Sequence, residues 1–128
     1  LLEKGYIPVV STIGCDKAGN IYNINADTAA AYIAGALSAE GLINMTDTKG
    51  VLQDATDPQS LIPRLSLGEI PKLQESGVIT GGMIPKLECC AHAVEKGANR
   101  AFIIDGRVSH AILIEMLTDE GIGTMVTA

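Results

Sequence analysis

One alternation constrains this chain more than any other feature. Short runs of consecutive apolar residues recur between longer segments of helical character. Residues 6–14 (YIPVVSTIG), 42–46 (LINMT), 101–105 (AFIID) and 123–128 (GTMVTA) read as strands, with a shorter one at 21–25 (IYNIN). A strand whose apolar residues follow one another is expected to be covered on both faces, and 6–14 is the strongest case. Between these runs, 26–39, 66–77, 83–97 and 109–118 read as helices. The order β, β, α, β, loop, α, α, β, α, β predicts a layered α/β domain with a largely parallel sheet and helices on both faces. Ligands in such sheets sit beyond the carboxyl ends of the strands.

Local signals sharpen the helices. Asn25 is placed to cap the helix at 26–39, and Asp27 falls in its first turn, where a negative charge suits the dipole. Ser66 and Glu69 form an S-x-x-E capping box, although Pro71 argues for a late helix start. Pro85 fits only the first turn of the helix at 83–97, and Gly97 suits its end. The opening LLEKGY reads as a last helical turn closed by Gly5, with no signal peptide. The expectation is therefore a single domain over 1–128 that is a piece of a longer protein.

With 128 residues, 47% of them hydrophobic, the chain can bury one core and is not disordered as a whole. Only 3% are aromatic, so that core is aliphatic. A formal charge of −6 argues against nucleic acid and against anionic lipid. No apolar run approaches the ~20 residues of a membrane span. Cys15, Cys89 and Cys90 are odd in number, which suits a reducing cytoplasm better than a disulfide framework. Cys89 and His92 supply two metal ligands where zinc needs about four, so no metal site is expected.

Three junctions carry polar residues suited to chemistry: NINAD (23–27), TDTKGV (46–51) and TGGMIPK (80–86). In the third, two glycines admit a ligand close to the backbone, a helix N-terminus offers amides, and Lys86 follows one turn later. It is not a P-loop of the G-x-x-x-x-G-K-[ST] type. Each junction also has a purely structural reading: Lys86 as a solvated side chain, Asp27 as a dipole partner, Asp47 as a turn residue. His92 and His110 have no neighbouring nucleophile pattern and are given no catalytic role.

Taken together, YNINADTAA, LINMTDTKGVL, GVITGGMIPKLE and AFIIDGRVSHAILIEMLTDEGIGTMV resemble the carboxyl-terminal half of the acetylglutamate kinases, a branch of the amino acid kinase family. The resemblance implies a three-layer αβα sandwich of the carbamate kinase-like fold, of which this chain holds only the second half. It implies phosphorylation of the side-chain carboxylate of N-acetyl-L-glutamate by ATP with Mg²⁺, in the cytoplasm, by an enzyme that forms homo-oligomers. By position, Asn23 matches a substrate contact, Asp27 the carboxylate that organises catalytic lysines, and Lys86 a lysine that stabilises the phosphoryl group in flight. Asp47, Thr48, Lys49, Gly50, Val51 and Leu52 match one wall of the adenosine pocket, with Val78, Ile79 and Thr80 opposite. Glu115 and Gly121 match an arginine effector site, where Phe102 replaces the histidine of some sensitive members. The N-terminal domain with its Gly-rich segment and second lysine is missing, so the chain alone is expected to be inactive. A non-catalytic nucleotide- or effector-binding module, or a related kinase with another acceptor, remain the alternatives.

Overall fold

Strand β5 (Ala101–Asp105) shows why the layers form. All five of its residues are buried, and its side chains alternate between two cores. Ala101 and Ile103 join Leu87, Cys90 and Val94 of helix α3 (Met83–Glu95) on one face. Phe102 and Ile104 join Ala111 of helix α4 (Ala111–Leu117) on the other. The structure, a computed structural model, describes residues 1–119 and 121–128.

The remaining elements are β1 (Ile13–Cys15), β2 (Ile21–Asn23), α1 (Ala26–Ala36), β3 (Leu42–Thr46), β4 (Arg64–Ser66), α2 (Ile70–Glu75) and β6 (Thr124–Thr127). The main sheet has the order β3-β5-β6-β4. β3 runs parallel to β5 with Leu42 opposite Ala101, and β4 runs parallel to β6 with Leu65 opposite Val126. β5 and β6 are antiparallel, with Phe102 opposite Met125. The sheet is thus mixed and mainly parallel, as expected of this layered fold. Helix α1 does not sit directly on the sheet centre. It packs on α3 through a seam of small residues, Ala31 and Ala34 against Ala93 and Ala98. Gly35 lets the two approach: a Cβ there would lie 2.6 Å from Lys96 Cβ.

Three expectations need correction. Residues 6–14 do not form a doubly buried strand. Only Ile13–Cys15 is extended and paired, in an antiparallel hairpin with β2. Ile7 and Val9 are 90% and 95% exposed. Apolar composition favours burial, but a strand also needs a neighbour, and beyond the Thr12 carbonyl, which accepts the Ile24 amide at 2.7 Å, no strand of the described residues pairs with 6–12. Second, strand β4 was not foreseen, because it is three residues long and abuts a loop and a helix. Third, the helix expected over 66–77 covers only Ile70–Glu75, with Pro71 in its first turn. Ser66 belongs to β4, and only the returning half of the capping box forms: the Glu69 carboxylate accepts from Ser66 N–H at 2.8 Å and from its hydroxyl at 2.6 Å. Elsewhere the local signals hold. Asn25 Oδ1 accepts the Thr28 amide at 3.0 Å, and Gly97 takes φ +122 after α3.

Two polar devices close the carboxyl side of the sheet. Thr124 is fully buried in β6. Its hydroxyl accepts the Val51 amide at 2.9 Å and donates to the Ile62 carbonyl at 2.7 Å. Between those points the chain leaves the fold and returns, joined by a bridge between Leu52 and Leu61. Gly50, at φ +138, passes so close to Thr124 that a Cβ would lie 2.6 Å from Oγ1. The second device ends β5. Asp105 Oδ1 accepts from the Arg107 amide at 3.0 Å and from Nε at 2.9 Å, and Oδ2 accepts from Nη2 at 2.8 Å. The Gly106 amide donates to Thr46 O at 2.8 Å, tying this turn to the end of β3.

Two outcomes follow. Thr124→Val keeps the shape but orphans a buried amide and a buried carbonyl, and is expected to cost about 2–3 kcal/mol in urea denaturation. Thr124→Ser, which keeps the hydroxyl, is expected to lose clearly less. For Asp105, the Arg107 hydrogen bonds lower the carboxyl from its ordinary 3.8 to about 2. A depressed folded value gives stability that is present above the unfolded value and is lost as pH falls through the folded one. Stability is therefore expected to decline between pH 3.8 and about 2. In Asp105→Asn that decline is expected to be shallower, read as urea midpoints across this range; equal slopes would count against the pair.

Candidate active site

Helix α1 begins at Ala26 because Asn25 caps it, and this places Asp27 in the first turn with its carboxylate near the helix start. Helix α3 begins after the Gly81–Gly82 turn, with Gly81 at φ +56. Lys86 lies one turn further on. The alanine seam between the two helices brings Lys86 Nζ to 3.5 Å from Asp27 Oδ2. The lysine side chain is 26% exposed and the carboxylate 35%. A pair this accessible contributes little to stability. Its consequence is that the ammonium is held in one direction beside the glycine turn. Asn23, at the end of β2, is exposed two residues before the cap.

The glycine turn differs from the expected open helix start. The Met83 and Ile84 amides already bond to the Thr80 and Gly81 carbonyls at 3.2 and 3.3 Å, and Pro85 has no amide hydrogen. What remains for an anion is the pair of amides at Gly81 and Gly82, which have no backbone partner among the described residues. Most of the positive charge at this junction therefore resides on Lys86. Cys90, directly behind it, is no nucleophile: burial, then the neighbouring Cys89, pushes its thiol up to about 12. His92 packs against Tyr32 with ring centroids 4.4 Å apart and planes tilted by 46°, and His110 precedes α4 at φ 59. Among the described residues no group of three His, Cys, Asp or Glu side chains could hold a metal.

The two segments expected to flank an adenosine do meet, but through the core. Val51 and Ile79 are each 2% exposed and belong to the same buried cluster. Their side chains cannot line an open pocket. Asp47, Thr48, Lys49 and Thr80 are exposed, Gly50 is buried, and Leu52 and Val78 are half-buried. Lys49 instead lines a cavity of about 290 Å³ together with Asp105, Leu61 and Ile122. Asp105 and Arg107 were missed from sequence, and one signal was available: a lone aspartate, followed by glycine, closing an otherwise apolar strand.

A larger cavity of about 560 Å³ lies at the other end of β5. Glu115 and Gly121 both line it, with Arg64, Arg100 and Phe102. Glu115 Oε2 accepts the Ile122 and Gly123 amides at 2.7 and 3.1 Å. Arg100 lies over the Phe102 ring at 5.6 Å and pairs with Glu40 at 3.1 Å. The cavity therefore offers both charge signs. No helix of the described residues is long and apolar enough to cross a membrane.

A sequence profile of the amino acid kinase family matches residues 1–105. Among curated proteins, acetylglutamate kinase of Brachyspira hyodysenteriae is 58% identical over 125 residues, which is 98% of this chain and 43% of that protein. Acetylglutamate kinase of Synechococcus elongatus is 53% identical over 126 residues, again 98% of this chain and 42% of the relative. The chain thus spans less than half the length of the curated relatives it matches. Among solved structures, N-acetylglutamate synthase from Neisseria gonorrhoeae, complexed with coenzyme A and L-arginine, superposes with a TM-score of 0.86 at 28% identity, over 98% of this chain and 28% of that one. The smu.665 protein of Streptococcus mutans gives 0.76 at 35% identity, over 99% and 45%. From the profile match, the relatives and the shared architecture, this chain belongs to the amino acid kinase family and is homologous to the acetylglutamate kinases.

Proposed function

We propose that this chain is the nucleotide-binding half of an acetylglutamate kinase, which transfers the terminal phosphoryl group of ATP to the side-chain carboxylate of N-acetyl-L-glutamate. The observation that carries the reading is the Lys86–Asp27 pair at 3.5 Å beside the glycine turn, in a chain 58% identical to an acetylglutamate kinase. Phosphoryl transfer demands little covalent chemistry from the protein. It demands position and charge where the equatorial oxygens become most negative. Lys86 supplies a compact positive charge, and Asp27, 3.5 Å away, pairs with it beside the glycine turn. The Gly81 and Gly82 amides receive phosphate oxygens where no Cβ intrudes. Asn23, beyond the cap of α1, contacts the acetylglutamate. Asp47, Thr48, Lys49 and Thr80 surround the adenosine with their side chains, and Gly50, Val51, Leu52, Val78 and Ile79 shape the two segments that present them.

The magnesium ion arrives with the nucleotide. Phosphate oxygens and water supply most ligands of such an ion. The rest of the site comes from the N-terminal domain, which lies outside these 128 residues, so the chain alone transfers no phosphoryl group. The full-length enzyme is cytoplasmic and homo-oligomeric. Arginine occupies the cavity at Glu115 and Gly121: a guanidinium and an α-carboxylate are the two charges that Glu115, Arg64 and Arg100 complement. That effector role would also serve a non-catalytic module, and kinetics on Lys86 separates the two readings.

In the full-length protein, Lys86→Ala is expected to lower kcat by about 10²–10³ while changing the KM for ATP far less, because the interaction is made mainly in the transition state. Lys86→Arg is expected to restore only part of the rate, since a planar fork does not replace a compact ammonium. A folded Lys86→Ala enzyme with unchanged kcat would remove Lys86 from catalysis.

A further inference from the structure

The nucleotide reading leaves open which group selects the nucleoside, and two of the side chains first expected to enclose it, Val51 and Ile79, are in the core. Lys49 connects that segment to a different hollow, the cavity of about 290 Å³ at the carboxyl ends of β3 and β5. Its wall mixes apolar residues, Leu61, Val108 and Ile122, with three polar ones, Lys49, Gln59 and Asp105. That composition, mostly apolar with a few directed polar groups, is the usual one for a pocket that takes a flat heterocycle and a sugar. It also lies where parallel sheets place their ligands.

Asp105 is the one polar wall residue fixed in the fold. Its side chain is 9% exposed, and Arg107 grips it from one side. An ionised carboxylate has about four acceptor positions on its two oxygens. The Arg107 amide and Nε fill two on Oδ1, and Nη2 fills one on Oδ2. One acceptor position on Oδ2 stays open, on a side chain that lines the cavity. Because Arg107 holds the carboxyl ionised down to about pH 2, this position accepts and never donates. Neighbouring elements leave that charge in place: Lys49 lies near enough to favour it, and the charge of Asp47 acts on Arg107.

We infer that Asp105 is the specificity-determining residue of the nucleoside pocket, accepting a hydrogen bond from a donor group on the nucleoside of the bound nucleotide. The inference rests on the proposed nucleotide reading and adds a residue to it. Two groups of adenosine carry the required chemistry: a ribose hydroxyl and the 6-amino group. A carbonyl at the 6 position, as in guanine or hypoxanthine, would meet the carboxylate acceptor to acceptor and be repelled. A hydrogen bond to a charged partner changes affinity by about ten- to a hundredfold.

The test measures equilibrium binding of ATP, 2′-deoxy-ATP, 3′-deoxy-ATP, purine riboside triphosphate and ITP to the full-length protein and to its Asp105→Asn form. The expected result is that the wild type binds ATP about ten- to a hundredfold more tightly than at least one analogue lacking a donor, with ITP also bound weakly where that analogue is purine riboside triphosphate. A deoxy analogue that fails points to the ribose, and purine riboside triphosphate to the 6-amino group. Asp105→Asn is expected to bind ATP more weakly by the same factor and to lose that discrimination, with the KM for the acceptor unchanged. A merely structural role for Asp105 would weaken every nucleotide equally and leave the ratios intact, and that result overturns the inference. A wild type that binds ATP and all analogues alike overturns it too, whether or not the variant folds. A wild type that binds no ATP overturns the nucleotide reading itself, a result distinct from the other two.

Discussion

The fully buried hydroxyl of Thr124 is the contact on which the working side of this molecule depends. A threonine in the middle of an apolar strand would normally be a liability, since an unpartnered hydroxyl is costly in a dry core. Here it satisfies both the Val51 amide and the Ile62 carbonyl. It holds the start and the end of a polar excursion to one point of β6. The segment from Gly50 to Leu61 is anchored at that clamp, which sets Leu61 and the preceding Lys49 at the cavity that Asp105 closes. The glycine at 50 is the complementary requirement. Its φ of +138 and its approach to Thr124 leave no room for a side chain.

A second constraint sets the pair on the opposite side. Lys86 and Asp27 belong to different helices 59 residues apart in sequence. Neither helix is placed by the ion pair, which is too exposed to contribute much to stability. They are placed by the alanine seam and by the gap at Gly35, whose lack of a side chain sets how closely α1 approaches the end of α3. Small residues give a short interhelical distance and few rotamers, so the geometry of two polar side chains is fixed by apolar ones beneath them. The same packing explains the chemistry left out of the site. Cys90 faces the core under Lys86, and burial keeps its thiol protonated and unreactive.

Much of this was legible in the chain before any coordinates. The strands at 42–46 and 101–105, the cap at Asn25, the position of Pro85 and the stop at Gly97 each follow from a local rule. Those rules bear on neighbours in sequence, where sterics and capping act. The NINAD and GGMIPK junctions stood out for the same reason, and the fold brings Asp27 and Lys86 within 3.5 Å of each other. The errors concern pairing instead. The run at 6–14 is apolar enough for a central strand, yet apolarity names no partner, and 6–12 lies exposed beside a short hairpin. Strand β4 has three residues and no pattern of its own; it exists because β6 runs alongside it. Val51 and Ile79 belong to the segments read as lining the adenosine, and only packing shows that their side chains lie in the core.

The amino-acid sequence by itself determined the class of the domain, the order of most elements, the helix boundaries that caps and prolines mark, and the family signature in its junctions. These depend on backbone sterics, side-chain periodicity and short-range hydrogen bonds, which are properties of consecutive residues. Only the tertiary structure decided that the sheet is mixed, that β5 serves two cores at once, and that Thr124, Gly50 and Val51 meet 73 residues apart. It alone showed that Asp105 is gripped by Arg107 and lines a cavity. Those outcomes depend on which distant surfaces are brought into contact, and a hydrogen-bonding group has no defined role until packing has decided what surrounds it.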